Sequence, residues 1–151
     1  SLNNLITDNL EKLSEDFNIL HQCGKDKIKV QENDFYKPVE YIYENMDKIM
    51  KNSHIIVSRS GANLTFEIAA AGTPAVFVPL ISGSRGEQIH NAKFFTDQKC
   101  SETANDSPSL LKAIYEVHNN YNLYKSRMSE IKLPESVEII SNYLKLFLSN
   151  K

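Results

Sequence analysis

Between the apolar run Ile55–Val57 and a second apolar segment stand Ser58, Arg59, Ser60, Gly61, Ala62 and Asn63, and their types suit an oxygen-rich, phosphorylated ligand. Gly61 puts no side chain between a ligand and the backbone. Amide N–H groups at the start of a helix over 63–71 favour phosphate oxygens. The same serines can instead simply cap that helix. Glu67 lies one turn inside it, among Phe66 and Ile68 to Ala71. A carboxylate in such company is costly unless it is paired or at a polar rim. There it can accept both hydroxyl protons of a sugar diol. The plainer alternatives are a solvent-facing Glu67 or one tied to Arg59.

A second loop, Ser82-Gly83-Ser84-Arg85-Gly86, again follows an apolar strand and leads into Glu87, Gln88, His90 and Asn91. Glu87 and Gln88 can exchange hydrogen bonds with sugar hydroxyls, and Arg85 can pair a phosphate or anchor Glu87. An ordinary capped loop would have the same composition. Tyr41 and Ile42, at the end of another strand, offer apolar atoms to a planar base, with the Ile42 backbone reading its edge. Such residues also simply build strands.

Other chemistry lacks support. The chain has no GxxxxGK[ST], GxGxxG or GxSxG, which removes the motif basis for kinase-like and hydrolase readings. His21, His54, His90 and His118 have no metal-ligand spacing, so no metal site is expected, and His21 and His54 are read as structural. Cys23 and Cys100 are too far apart to suggest a zinc ribbon or a redox pair and read as buried free thiols.

The loops need a scaffold that brings them to one edge. Apolar runs and turn signals predict helix 2–14, strands 18–23 and 38–42, helix 44–52, strand 54–58, helix 63–71 and strand 75–80. Helix 87–98, a short strand at 101–104 and helices 107–118, 121–130 and 134–149 follow, with Ser107 as a cap. Strands alternating with helices imply an α/β fold, a Rossmann-like, mostly parallel sheet with helices on both faces. In such sheets ligands sit where strand carboxyl ends meet helix amino ends. Ile139, Ile140, Tyr143, Leu144, Phe147 and Leu148 give the last helix an apolar face for this core or a neighbouring domain. The chain opens in a helical pattern (Leu2, Leu5, Ile6, Leu10, Leu13), where a βαβ protein normally opens with a strand. An excerpt or processed piece of something longer is therefore expected.

At 151 residues the natural expectation is one domain with its own core. A net charge of -2 gives no bulk attraction to nucleic acid or anionic lipid. No apolar run approaches the ~20 residues of a bilayer span, which leaves peripheral attachment open.

Several runs together resemble a known family. They are His21-Gln22-Cys23-Gly24-Lys25, Val39-Glu40-Tyr41-Ile42, Ser58 to Ala62 through Glu67 to Gly72 with Pro74, and then Ser84 to Gln88 with Asn91-Ala92. In that order they resemble the C-terminal, nucleotide-sugar-binding half of the bacterial MurG-type glycosyltransferases of peptidoglycan synthesis. The resemblance implies a two-domain GT-B fold at the cytoplasmic face of the cell membrane, held peripherally. It implies inverting, metal-independent transfer of N-acetylglucosamine from UDP-N-acetylglucosamine to undecaprenyl-linked N-acetylmuramoyl-pentapeptide, turning lipid I into lipid II. On this basis Ile42 reads uracil through its backbone, with Tyr41 near the base, and Glu67 holds the ribose diol. Gly61, Ala62 and Asn63 face the diphosphate with helix N–H groups, Ser60 counts among the donor-binding residues beside them, and Glu87 and Gln88 touch the sugar. From the residues themselves, Arg85 or Arg59 can assist at the departing UDP.

The departures are specific. The family's first strand and Gly-Gly-Ser loop are missing before the opening helix, and Asp26–Lys37 is short, as if lacking a helix. The acceptor site, the membrane-contacting surface and the general base belong to an N-terminal domain, so no catalytic residue is assigned here. Residues 1–151 are expected to form a single nucleotide-sugar-binding domain with a helical tail from about 107, binding donor without transferring it. Two rival readings are the catalytic subunit of a split dolichol-linked N-acetylglucosamine transferase and a non-catalytic nucleotide-sugar-binding module.

Overall fold

The computed structural model describes residues 1–82 and 85–132. The expected helix 134–149 lies outside them. The chain opens with α1 (Leu2–Asp8), whose N-cap Ser1 side chain accepts from the Asn4 N–H, and continues into α2 (Leu10–Ser14). Ile6, Leu10 and Leu13 form the buried stripe. The sequence predicts one helix here; Asn9 divides it. Its side-chain amide donates to Leu5 O at 2.8 Å and to Ser107 O at 3.2 Å, fixing the chain to a segment 98 residues away.

Strand β1 (Ile19–Gln22) pairs in parallel with β2 (Tyr36–Val39), with Gln22 opposite Val39. The intervening residues 23–35 contain no helix, as the shortness of that region foretold. β2 begins and ends earlier than the predicted 38–42, and the buried Tyr36 ring sets its register. After Val39 the backbone pairing continues only with Glu40 O, which accepts from Gly24 N at 3.0 Å. Tyr41 and Ile42 therefore lie in the loop beyond the strand, not at its end.

A short α3 (Met46–Asn52) leads to β3 (Ile56–Ser58), α4 (Ala62–Ala71), β4 (Ala75–Phe77), α5 (Glu87–Asp97) and β5 (Ser101–Thr103). The order β3-β4-β5 is parallel throughout. Gly72 ends α4 at φ 64°, with its N–H on Ala69 O and the Thr73 N–H on Ile68 O. A left-handed residue closing a helix in this way is where glycine costs least. Next come α6 (Ser107–Asn119) and α7 (Tyr121–Ser129). Asp106, not Ser107, caps α6. Its side chain accepts from Ser109 N while Ser109 Oγ accepts from Asp106 N, a reciprocal box that satisfies two orphan donors.

Alternation along β4 divides the core between two helical layers. Val76 joins Ile6, Leu13, Leu110, Val117 and Tyr124 on one face, while Ala75 and Phe77 join Met50, Ile68, Ala92 and Phe95 on the other. Ile68 and Phe77 are fully buried. Each such side chain contributes about 1.5–3 kcal/mol by leaving water, and truncation of one to Ala costs about 2–5 kcal/mol. Both thiols are free and buried, and burial pushes Cys100 up to about 12, which keeps it inert.

The parallel strands form two pieces, β1-β2 and β3-β4-β5, with no ladder between β1 and β3. A doubly wound sheet orders its strands 3-2-1-4-5-6. Laid on that order, β2 and β1 take places 3 and 2, and β3, β4 and β5 take places 4, 5 and 6. The interruption falls at place 1. Ile6 and Leu13 share one core with Ile19 of β1 and Val57 of β3, so the opening helices bridge the two pieces.

Candidate functional site at the carboxyl edge of the sheet

The chain leaves β3 and β4 at the same edge and enters α4 and α5 from there. α4 has N-cap Gly61, no side-chain cap and no acidic residue in its first turn. α5 has N-cap Gly86, likewise without a side-chain cap. Each start leaves backbone N–H donors that the helix itself cannot satisfy. Gly61 adopts φ −66° and ψ 145°, a conformation open to any residue, and a Cβ added there would meet nothing within 4 Å. Neither backbone geometry nor internal packing requires glycine at 61. What the missing side chain does provide is open space at the N-cap of α4. Gly86 differs: at φ 81°, following Arg85 at φ 49°, it makes the left-handed turn into α5.

The loop after β3 is stapled to the first turns of α5. Ser60, fully buried, donates from Oγ to Gln88 O at 2.7 Å, and Asn91 Nδ2 donates to Ser60 O at 2.9 Å. These bonds hold the two helix starts side by side. The Ser60 hydroxyl is thus engaged inside the protein, where it positions the loop. Arg59 is similarly engaged, its guanidinium donating to Val78 O at 2.7 Å and Pro79 O at 3.3 Å. It is not tied to Glu67.

Glu67, Ala62 and Asn63 are exposed on α4, and Glu87 is exposed on α5. Among the described residues no cation pairs with Glu67 or Glu87, and Arg85, also exposed, does not anchor Glu87. Gln88 is half-buried, and its Oε1 accepts from Leu80 N at 3.0 Å, leaving the amide NH2 as its donor. Among the described residues no group of three or more His, Cys, Asp or Glu could hold a metal ion.

The residues expected at a base lie on the β1-β2 piece. Tyr41 and Tyr43 are exposed, with ring centroids 5.9 Å apart, and flank the half-buried Ile42. The loop carrying them is held by Glu40 Oε1, which accepts from Asp26 N at 2.7 Å, and by Gln22 Oε1, which accepts from Ile42 N at 2.9 Å. On the same piece His21 is structural, as read from the sequence. Tyr36 Oη donates to its Nδ1 at 2.9 Å and its Nε2 faces Asn3 Oδ1 at 3.3 Å, while Asn3 Nδ2 donates to Cys23 O. Burial lowers the His21 pKa, which keeps the ring neutral in that chain of bonds.

A fold with two open helix starts at one strand edge is common to many nucleotide binders, so the comparisons with known proteins decide between families. The model of the glycosyltransferase family 28 C-terminal domain matches residues 1–143. The chain belongs to that family. Members similar to it include a UDP-N-acetylglucosamine–N-acetylmuramyl-(pentapeptide) pyrophosphoryl-undecaprenol N-acetylglucosamine transferase of Clostridium tetani. It is 42% identical over 134 residues, covering 87% of this chain and 37% of the relative. The protein of the same name from Borrelia turicatae is 33% identical over 132 residues, covering 83% of this chain and 36% of the relative. The crystal structure of Acinetobacter baumannii MurG superposes with a TM-score of 0.76 at 26% identity, over 95% of this chain and 45% of that one. The glycotransferase of kitacinnamycin shares the fold at a TM-score of 0.69 and 14% identity. This family 28 domain thus spans less than half the length of those relatives.

The sequence reading assigns no role to Gln22 or Asn91. Both stand in runs that carry the family resemblance, which was the available signal. Their work is to hold Ile42 and Ser60 in place, and that depends on contacts 20 and 31 residues away.

Proposed function

We propose that this chain is the donor-binding half of a glycosyltransferase and takes UDP-N-acetylglucosamine at the carboxyl edge of its sheet. One observation carries the reading: two parallel strands feed two helices whose amino ends lack side-chain caps and lie side by side, with open space above Gly61. A diphosphate fits that pair of positive dipole ends. Gly61, Ala62 and Asn63 would face it, with Arg85 beside it; Glu67 would take the ribose diol, Glu87 and Gln88 the sugar, and Tyr41 and Ile42 the uracil.

Inverting transfer needs a base for the attacking hydroxyl and stabilisation for the departing UDP. The helix amino ends supply the second, because N–H dipoles already aimed at the diphosphate need not reorganise as charge develops on it. The base, the lipid-linked N-acetylmuramoyl-pentapeptide acceptor and the membrane-facing surface are assigned to an N-terminal region of the complete transferase. Residues 1–151 then act as one donor-binding domain that does not transfer by itself. No described helix is long and apolar enough to cross a membrane, and a peripheral position at the cytoplasmic face suits the lipid-linked acceptor.

Calorimetric titration with UDP-N-acetylglucosamine, UDP and ADP-ribose tests the reading. Saturable binding selective for the UDP sugar is expected. A folded chain that binds none of them, or prefers ADP-ribose, would remove it.

A further inference from the structure

Among the described residues no hydrogen bond runs directly from β1, β2 or the loop beyond them to β3-β4-β5. Polar ties between the two pieces run through residues 1–16 instead. On the β3-β4-β5 side Asn9 Nδ2 donates to Ser107 O at 3.2 Å, and Tyr115 Oη donates to Asp16 Oδ2. On the β1-β2 side the tie is Asn3, half-buried in the first turn of α1. Its Nδ2 donates to Cys23 O at 2.7 Å, and its Oδ1 lies 3.3 Å from His21 Nε2. A carbonyl can only accept, so the Asn3 NH2 turns toward Cys23 and its oxygen toward His21. His21 Nε2 then carries the ring proton, and Nδ1 is left to accept from Tyr36. Cys23 N in turn donates to Val39 O at 2.8 Å, so the carbonyl that Asn3 holds belongs to a residue already bonded to the end of β2. Lys29 Nζ donates to Asn4 Oδ1 at 3.1 Å, but both residues are exposed and water competes for that bond.

We infer that Asn3 is a positioning residue for the donor: it fixes α1 to β1 and so sets the spacing between the half of the site that would take the nucleobase and the half that would take the diphosphate. The inference rests on the donor-site reading. A ligand that touches both halves gains from a spacing set before it arrives, because it need not itself hold the halves together. A ligand that touches one half gains nothing. The effect of Asn3 therefore scales with the reach of the ligand.

The test uses the full chain with Asn3→Ala, which loses both bonds, and Asn3→Asp, which keeps an oxygen toward His21 and loses the donor to Cys23 O. UDP and inorganic pyrophosphate are titrated into each, and hydrogen exchange is followed at the Asn3 side-chain amide and along β1. Asn3→Ala is expected to lose roughly three- to thirty-fold in affinity for UDP, the range of one or two modest hydrogen bonds, and none for pyrophosphate. Asn3→Asp should show a smaller loss with the same selectivity. Exchange along β1 should quicken in both variants, and in the parent the Asn3 amide protons should exchange slowly. Unchanged UDP affinity, or an equal loss toward pyrophosphate, would overturn the positioning role while the donor site stands. So would an Asn3 amide that exchanges freely in the parent, a measurement that does not depend on either variant folding. A parent chain that binds neither UDP nor pyrophosphate would bring down the donor site, and this role with it.

Discussion

Gly61→Ala separates the needs of the fold from the needs of a ligand. At φ −66° and ψ 145° alanine is unstrained, and its methyl meets no atom within 4 Å. Restricting the unfolded chain stabilises by about 0.4–1 kcal/mol at such a site. Against this, alanine is a poorer N-cap than glycine, which costs an amount of the same order, up to about 1 kcal/mol. The two nearly cancel, so folding stability should stay within about 1 kcal/mol of the parent. Binding should not. The new methyl projects into the space through which a phosphate oxygen would reach the α4 donors. Losing one hydrogen bond to a charged group costs about 1.5–3 kcal/mol, or about 10- to 150-fold in affinity. Thermal melts and calorimetry with UDP-N-acetylglucosamine on the same preparation measure both quantities. Unchanged affinity would show that no ligand approaches Gly61, and a stability loss above roughly 2 kcal/mol would show that the glycine serves the fold after all.

Three further outcomes are expected. Glu67→Gln should weaken UDP-N-acetylglucosamine in calorimetry while its melting temperature stays at the parent value, since the residue is exposed and has no partner among the described residues; a ribose held elsewhere would leave affinity intact. Ser60→Ala should cost about 1–3 kcal/mol in chemical denaturation, because it strips the donor from the Gln88 carbonyl at a fully buried position. Acid should destabilise the fold through His21 and His54, both lowered by burial and His54 further by His118, whose Nδ1 lies 3.2 Å from its Nε2. The folded state keeps these rings neutral below the pH at which the unfolded chain protonates them, so stability should decline as pH falls below about 6.5 and level off under the folded pKa values. Denaturation midpoints from pH 7.5 to 5 check this, and a flat profile would contradict it.

Much of this architecture is written in local patterns. Ile55–Val57, the apolar side of 63–71 and Ala75–Val78 identify a βαβ unit, because buried parallel strands and their helix carry continuous apolar signals. Boundaries were less legible where tertiary contacts set them. Asn9 reads as a tolerable helix residue until Ser107 O claims its amide. Tyr41 and Ile42 have strand-like side chains, but the ladder stops at Val39 and Glu40. Ser60 looks like a ligand group in sequence, and its burial under α5 has no local signature. Gly61 and Glu67 stand out in the sequence for the opposite reason: each is a residue type that its surroundings do not call for.

The division of the sheet bears on how the molecule would come apart. On the proposed pose the nucleobase contacts belong to the β1-β2 piece and the diphosphate contacts to β3-β4-β5, and α1 and α2 pack against both. Two such units can open with different free energies, the smaller piece with its long irregular connection first. On the proposed pose a nucleotide would touch both, acting as a stitch across a seam that the main chain leaves open. Hydrogen exchange in β1 and β2 should then slow on binding more than in β4, which is buried on both faces whether ligand is present or not. A ligand of this kind would report on itself through the cooperativity of unfolding: two resolved steps in the free protein, merging into one when the site is filled.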